Sequence, residues 1–171
     1  MVNSMSKIKI PVVLIAHIIF IIVVYILQSM VFTYIPINGT FPVLLPIAVV
    51  GIATFEGSFY GGGYGLLAGM LCDVSFNQPV AVMTVALTVV GIVIGVLSET
   101  IMARGFPTYF LCCAGVLVLT ALVSMFSLMF FANVDFSALL QTGLMQTLYS
   151  IIFTLPIYPV VRALGRKVAS E

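Results

Sequence analysis

Residues 57–73 read Gly-Ser-Phe-Tyr-Gly-Gly-Gly-Tyr-Gly-Leu-Leu-Ala-Gly-Met-Leu-Cys-Asp, and no other stretch limits the fold as strongly. Gly57, Gly61, Gly65 and Gly69 recur at every fourth position, and Asp73 closes the series. In water this is a poor helix, because each interior glycine costs about 1 kcal/mol relative to alanine. In a bilayer the backbone must satisfy its own hydrogen bonds, so a helix is the form left to it. A row of small residues then admits a second helix at close range. Four residues advance a helix by about 400°, so the row drifts about 40° per step and winds around the axis. A helix lying along it crosses at about −40°. The residues alone leave two uses open: packing inside one membrane domain, or contact of part of the groove with another protein.

The rest of the chain supplies the bilayer argument. Of its 171 residues 63% are hydrophobic and only 6% charged, where a soluble domain carries about 25% charged residues. Mean hydropathy is +1.31. The net charge of +1 and the absence of a large Lys/Arg cluster give no surface for nucleic acid. Cys72, Cys112 and Cys113 have no metal-site spacing and read as buried thiols. Lys7 and Lys9 precede an apolar run too long for a signal-peptide core and without a small-residue cleavage site, which makes it an uncleaved first span.

Six spans account for the hydropathy, in one domain covering 1–171. The first is about 10–32, with His17, Tyr25, Gln28 and Ser29 as its polar members, and Pro36, Asn38 and Gly39 form a turn after it. His17 has no metal-ligand partner nearby and is expected to bond a neighbouring helix. From 41 to 72 the only formal charge is Glu56. A straight helix of that length reaches about 48 Å, far beyond a hydrocarbon core of about 30 Å. The chain must fold back, and the break is expected between Glu56 and Tyr60. Glu56 is then expected at the N-terminus of the third span, where its charge suits the helix dipole.

Ser75 to Pro79 make the next turn, before a fourth span at 80–97 whose own row, Gly91, Gly95 and Glu99, makes it the candidate to pack on span three. Glu99, Arg104, Gly105 and Pro107 mark a polar loop; span five follows at 108–131, and Asn133 and Asp135 lie in a short connection. Span six, 138–161, carries Ala138, Thr142, Gln146, Ser150 and Thr154 in another four-residue row, with Pro156 and Pro159 expected to bend its end. With a cytoplasmic N-terminus, Lys7, Lys9, Arg104, Arg162, Arg166 and Lys167 all fall on the cytoplasmic side, as the positive-inside rule requires. Tyr34 then sits at the outer edge of the membrane, and Tyr60, Tyr109 and Tyr158 at the inner one, in place of a tryptophan belt.

Asp73 is placed toward the outer end of span three, with no basic residue of the chain to pair with it. Four fates are open: hydration, protonation, a hydrogen bond to a group such as Asn77 or Gln78, or a cation from another molecule. Because of this carboxylate, the end of the row nearer Asp73 is expected to face a partner, and Gly65 to be internal packing. Catalysis is not expected. His17 stands alone, Gly57-Ser58 is no nucleophile elbow, and Gly61-Gly62-Gly63-Tyr64-Gly65 lacks the Lys-Ser/Thr that would finish a phosphate loop. No cofactor or metal is implied. Transport stays open through Asp73 or Glu56.

The order of landmarks carries a resemblance. Leu27-Gln28 closes span one, Ile35-Pro36-Ile37-Asn38-Gly39 follows, Pro42 opens span two, and Gly57, Gly61, Gly65, Gly69 and Asp73 mark span three. This resembles the rod-shape-determining protein MreD family of small bacterial inner-membrane proteins, best over 28–73 and mainly in hydropathy and length from Val80 onward. The family often has Asp or Asn after the proline that opens span two, where this chain has Val43. The resemblance implies a non-enzymatic component of the cell-elongation machinery. Its expected partners are the bitopic protein MreC and, through it or directly, MreB, the glycosyltransferase RodA and its transpeptidase. The family is similar in fold to the S components of energy-coupling-factor vitamin transporters, which supplies the alternative function. An S component needs polar or aromatic groups converging from the outer loops, and the outer connections here are short.

Overall fold

The computed structural model describes residues 5–31, 42–75, 81–100, 106–132 and 136–169, with side-chain environments for 14–30, 42–75, 81–100, 106–126 and 141–164. The turn at Pro36 to Gly39, Tyr34, Asn77, Gln78, Arg104, Gly105, Asn133 and Asp135 lie outside the described residues, as do the side chains of Lys7, Lys9, Ala138, Arg166 and Lys167. The described residues form six α-helices: α1 (Met5–Ile26), α2 (Leu45–Glu56), α3 (Ser58–Ser75), α4 (Val82–Thr100), α5 (Phe106–Ala132) and α6 (Phe136–Ala169). A π-helical turn, Leu27–Val31, extends α1.

The short α2 is the hub. Every residue from Leu45 to Thr54 is buried, and α1, α3, α4, α5 and α6 all touch it. A helix that is apolar on all sides has to be enclosed, and the run Leu-Pro-Ile-Ala-Val-Val-Gly-Ile-Ala-Thr has no polar face to offer. Pro46 costs little, because a first-turn residue has no intrahelical N–H bond to lose. Twelve residues span about 18 Å, so α2 covers only part of a bilayer. It ends at Gly57, whose φ of +94° is strained for a residue bearing a side chain. The chain therefore folds back inside the interval expected from its apolar length.

Polar and apolar residues are distributed the reverse of what water favours. Ile15, Ile19, Val85, Val89, Leu111, Leu122, Leu148 and Ile152 are exposed, whereas His17, Gln28, Thr54, Ser98, Thr120, Ser150 and Thr154 are buried. Three segments, Val82–Thr100, Phe106–Phe126 and Gln141–Leu164, are long and apolar enough to cross a membrane. The described residues form an all-helical fold, and these three helices support a membrane location.

One expectation needs correction here. Tyr109 is fully buried, with its hydroxyl donating to the Ile47 carbonyl at 3.4 Å, so it braces α5 on the hub instead of standing in an interfacial belt. Tyr158 joins it in an aromatic cluster with Phe55 and Phe106, and Arg162 lies 5.9 Å from the Tyr158 ring centre. The helix α6 also continues through Pro156 and Pro159 as far as Ala169.

Candidate functional site

The glycine rows of α3 and α4 meet in an antiparallel seam. A methyl group added at Gly69 would strike the backbone of Thr84, one at Gly65 the Leu87 carbonyl, and one at Gly61 the Gly91 carbonyl and Ala53 of α2. From the other side, Gly91 meets Gly61, and Gly95 meets Ser58 and Gly57. The obstacle is backbone at every step, so no rotamer change could make room. Seven of the sequence-selected residues thus belong to one feature: Gly57, Gly61, Gly65, Gly69 and Asp73 on one strand of the seam, Gly91 and Gly95 on the other. The end near Asp73, expected to face a partner, is covered by the first turn of α4. Close approach in lipid depends on dispersion contacts between backbones, because no apolar driving force separates helix from lipid.

Each end of the seam is closed by a carboxylate from the opposite helix. Asp73, at the end of α3, accepts from the N–H groups of Met83 (3.1 Å) and Thr84 (2.9 Å) and from the Thr84 hydroxyl (2.5 Å). Those N–H groups belong to the first turn of α4, which has no intrahelical partners for them and carries the positive end of the dipole. Glu99, in the last turn of α4, accepts from the Ser58 N–H at 2.9 Å and so caps α3. The carboxylate at the start of α3 is therefore Glu99, not Glu56. Asp73 needs no cation, since three donors of its own chain surround it. The spacing Gly91, Gly95, Glu99 already put Glu99 on the seam face, which was the available signal for its role.

The start of α2 is held in the same manner by side chains from distant helices. Gln28, in the π-helical turn after α1, accepts through Oε1 from the N–H of Leu44 (2.8 Å) and Leu45 (3.2 Å). Ser150 of α6 accepts from the Val43 N–H at 2.9 Å. Non-helical backbone inside a membrane protein persists only where such partners exist. In the α6 row Thr142 is exposed, Gln146 half-buried, and Ser150 and Thr154 fully buried, so the row turns into the core. Gln146 stands apart from the glycine seam. It lines a cavity of about 10 Å3 together with Val43, Cys72, Thr120, Ser124 and Ser150.

A third polar point joins α1 to the hub. His17 Nε2 lies 3.7 Å from Glu56 Oε1, with both side chains buried. The imidazole sits 5.5 Å from the Tyr64 ring, and the Tyr64 hydroxyl donates to the Leu14 carbonyl at 3.3 Å. Ionisable side chains inside a membrane protein pair with one another, and here the last residue of α2 supplies the neighbour of His17. Cys72, Cys112 and Cys113 are all free thiols. Among the described residues no group of three His, Cys, Asp or Glu could hold a metal.

Comparison with protein-family models, with characterised proteins and with solved structures gives no match.

Proposed function

We propose that this chain is a non-enzymatic inner-membrane component of the bacterial cell-elongation machinery, similar to the MreD family, and that it works by helix–helix association with membrane partners. The observation that carries the reading is the use made of the landmarks behind the resemblance. Gln28 holds the start of α2, Gly57 makes the break, Gly61, Gly65 and Gly69 form the seam, and Asp73 caps α4. Each landmark is a packing device, as a scaffold requires. With those groups engaged inside the chain, partners have the outer apolar faces of α1, α4, α5 and α6 to bind.

In this reading the chain crosses the membrane six times, with both termini and Arg104 cytoplasmic and the fold similar to S components. The vitamin-transporter alternative calls for a chamber that encloses a vitamin, and ligand pockets run to about 300–1,000 Å3. The polar cavity beside Gln146 is only about 10 Å3, and the groove of about 530 Å3 between α4 and α5 is lined by apolar side chains and Gly115, without the converging polar groups a vitamin needs; both favour the scaffold. Purification of the tagged protein in mild detergent from a rod-shaped bacterium tests the choice. The expected result is a bitopic membrane protein of the wall-synthesis machinery in the eluate, absent from a mock purification. Stoichiometric vitamin, or an energy-coupling subunit as the main partner, would establish the transporter instead.

A further inference from the structure

The cavity between the start of α2 and the α5–α6 pair has a wall unlike the apolar interior around it. Its volume of about 10 Å3 is near the threshold of about 10–15 Å3 needed to seat one water. Thr120 and Ser124 from α5, and Gln146, Thr147 and Ser150 from α6, bring five polar side chains to it. Their bonding is incomplete in a complementary way. The Thr120 hydroxyl donates to the carbonyls of Val116 and Leu117 (3.0 Å each) and the Thr147 hydroxyl to that of Gly143 (2.8 Å), leaving both oxygens able to accept. Ser150 already accepts from Val43 and keeps its own proton to donate. Ser124 and Gln146 have no hydrogen-bond partner among the described residues.

We propose that this cavity is an intramembrane hydration site that holds one water molecule. Water matches the wall because it can accept from the Gln146 amide and the Ser150 hydroxyl while donating to the Thr120 and Thr147 oxygens. No charged side chain is among those lining the cavity, so an ion finds no counter-charge there. The site lies next to the irregular backbone at 42–44, where a water also supplies polar surroundings that lipid cannot. Gln146 acts here inward, as a water ligand, not outward as a partner contact.

Radical footprinting with short X-ray pulses tests this, because bound water is activated where it sits. Cys72 and Cys113 are both free thiols of near-equal burial, at 1% and 0% exposure, and the Cys113 thiol has the Tyr109 hydroxyl as a neighbour. Only Cys72 lines the cavity. In the folded wild-type protein in detergent, Cys72 should be modified several-fold faster than Cys113. Gln146→Leu should bring Cys72 down to the Cys113 rate with the thermal midpoint retained. If that variant does not fold, Ser124→Val serves the same purpose from α5. Equal, slow modification of the two thiols in wild type would overturn the proposal, as would native mass spectrometry that finds a molecule larger than water retained in the wild type and lost in Gln146→Leu.

Discussion

The two faces of α4 are built on opposite principles. Toward α3, Gly91 and Gly95 bring backbone against backbone. Toward α5, Val85, Val89 and Val93 face Gly115 and Leu119 across an apolar groove of about 530 Å3, and a methyl group added at Gly115 would meet nothing within 4 Å. Glycine is present on both sides, so glycine content alone does not make a contact. What differs is register. On the α3 side small residues stand opposite one another at successive turns, whereas Gly115 faces β-branched side chains that hold the helices apart. A groove of this kind suits mobile lipid or a partner, and the seam suits only its own second strand.

The largest effect should come from crowding the seam. Leucine at Gly65 or Gly91 must displace backbone, so its cost should reach or exceed the roughly 1–3 kcal/mol typical of overpacking. In a protein of this size a cost of about 3 kcal/mol lowers the thermal midpoint by about 6–12 °C. Gly115→Leu, set into the groove, should move it by less than about 2 °C, in line with substitutions that disturb no packed contact. Fluorescence-detected thermal unfolding in detergent would compare the three. A Gly65→Leu midpoint equal to that of Gly115→Leu would break the distinction between the faces.

A smaller effect should separate the two ends of the seam. Asp73→Ala removes a half-buried acceptor of three hydrogen bonds and should cost about 1–2 kcal/mol, the upper part of the range for lost helix caps. Glu99→Ala removes an exposed cap and should cost about 0.5 kcal/mol, the lower end of that range. Reversal of that order in the same assay would mean that the α3 end, not the α4 end, fastens the hairpin. The smallest change should have the opposite sign. Gly115→Ala gains up to about 1 kcal/mol of helix propensity with nothing to strike, and a midpoint below wild type would show the groove to be occupied.

Much of the scaffold was legible because it follows from local composition and length. The apolar run from 41 to 72 exceeded the membrane, which called for the break that Gly57 makes with its positive φ. The period-four glycines marked a face of α3, and the shorter row marked the matching face of α4. The site was less legible. Gln28 reads in the sequence as a polar member of the first span and as a landmark of the resemblance, but its role as a cap is hidden, because nothing local connects it to N–H groups 16 and 17 residues later. Tyr109 reads as interfacial because tyrosine is common at membrane edges, yet its partner is a carbonyl 62 residues away.

The sequence by itself determined that the chain is helical and bound for a bilayer, where it must turn back, and which helix faces allow backbone contact, since each depends on side-chain size and polarity read over a few turns. Only the tertiary structure decided which carboxylate caps which helix. Asp73 serves α4, Glu99 serves α3, and Glu56 turns instead to His17. The physical reason is that a hydrogen bond forms only where donor and acceptor come within about 3 Å in a suitable direction. For groups 41 residues apart, such as Glu99 and the Ser58 N–H, that distance is set by the antiparallel register of two packed helices and not by any spacing within either one.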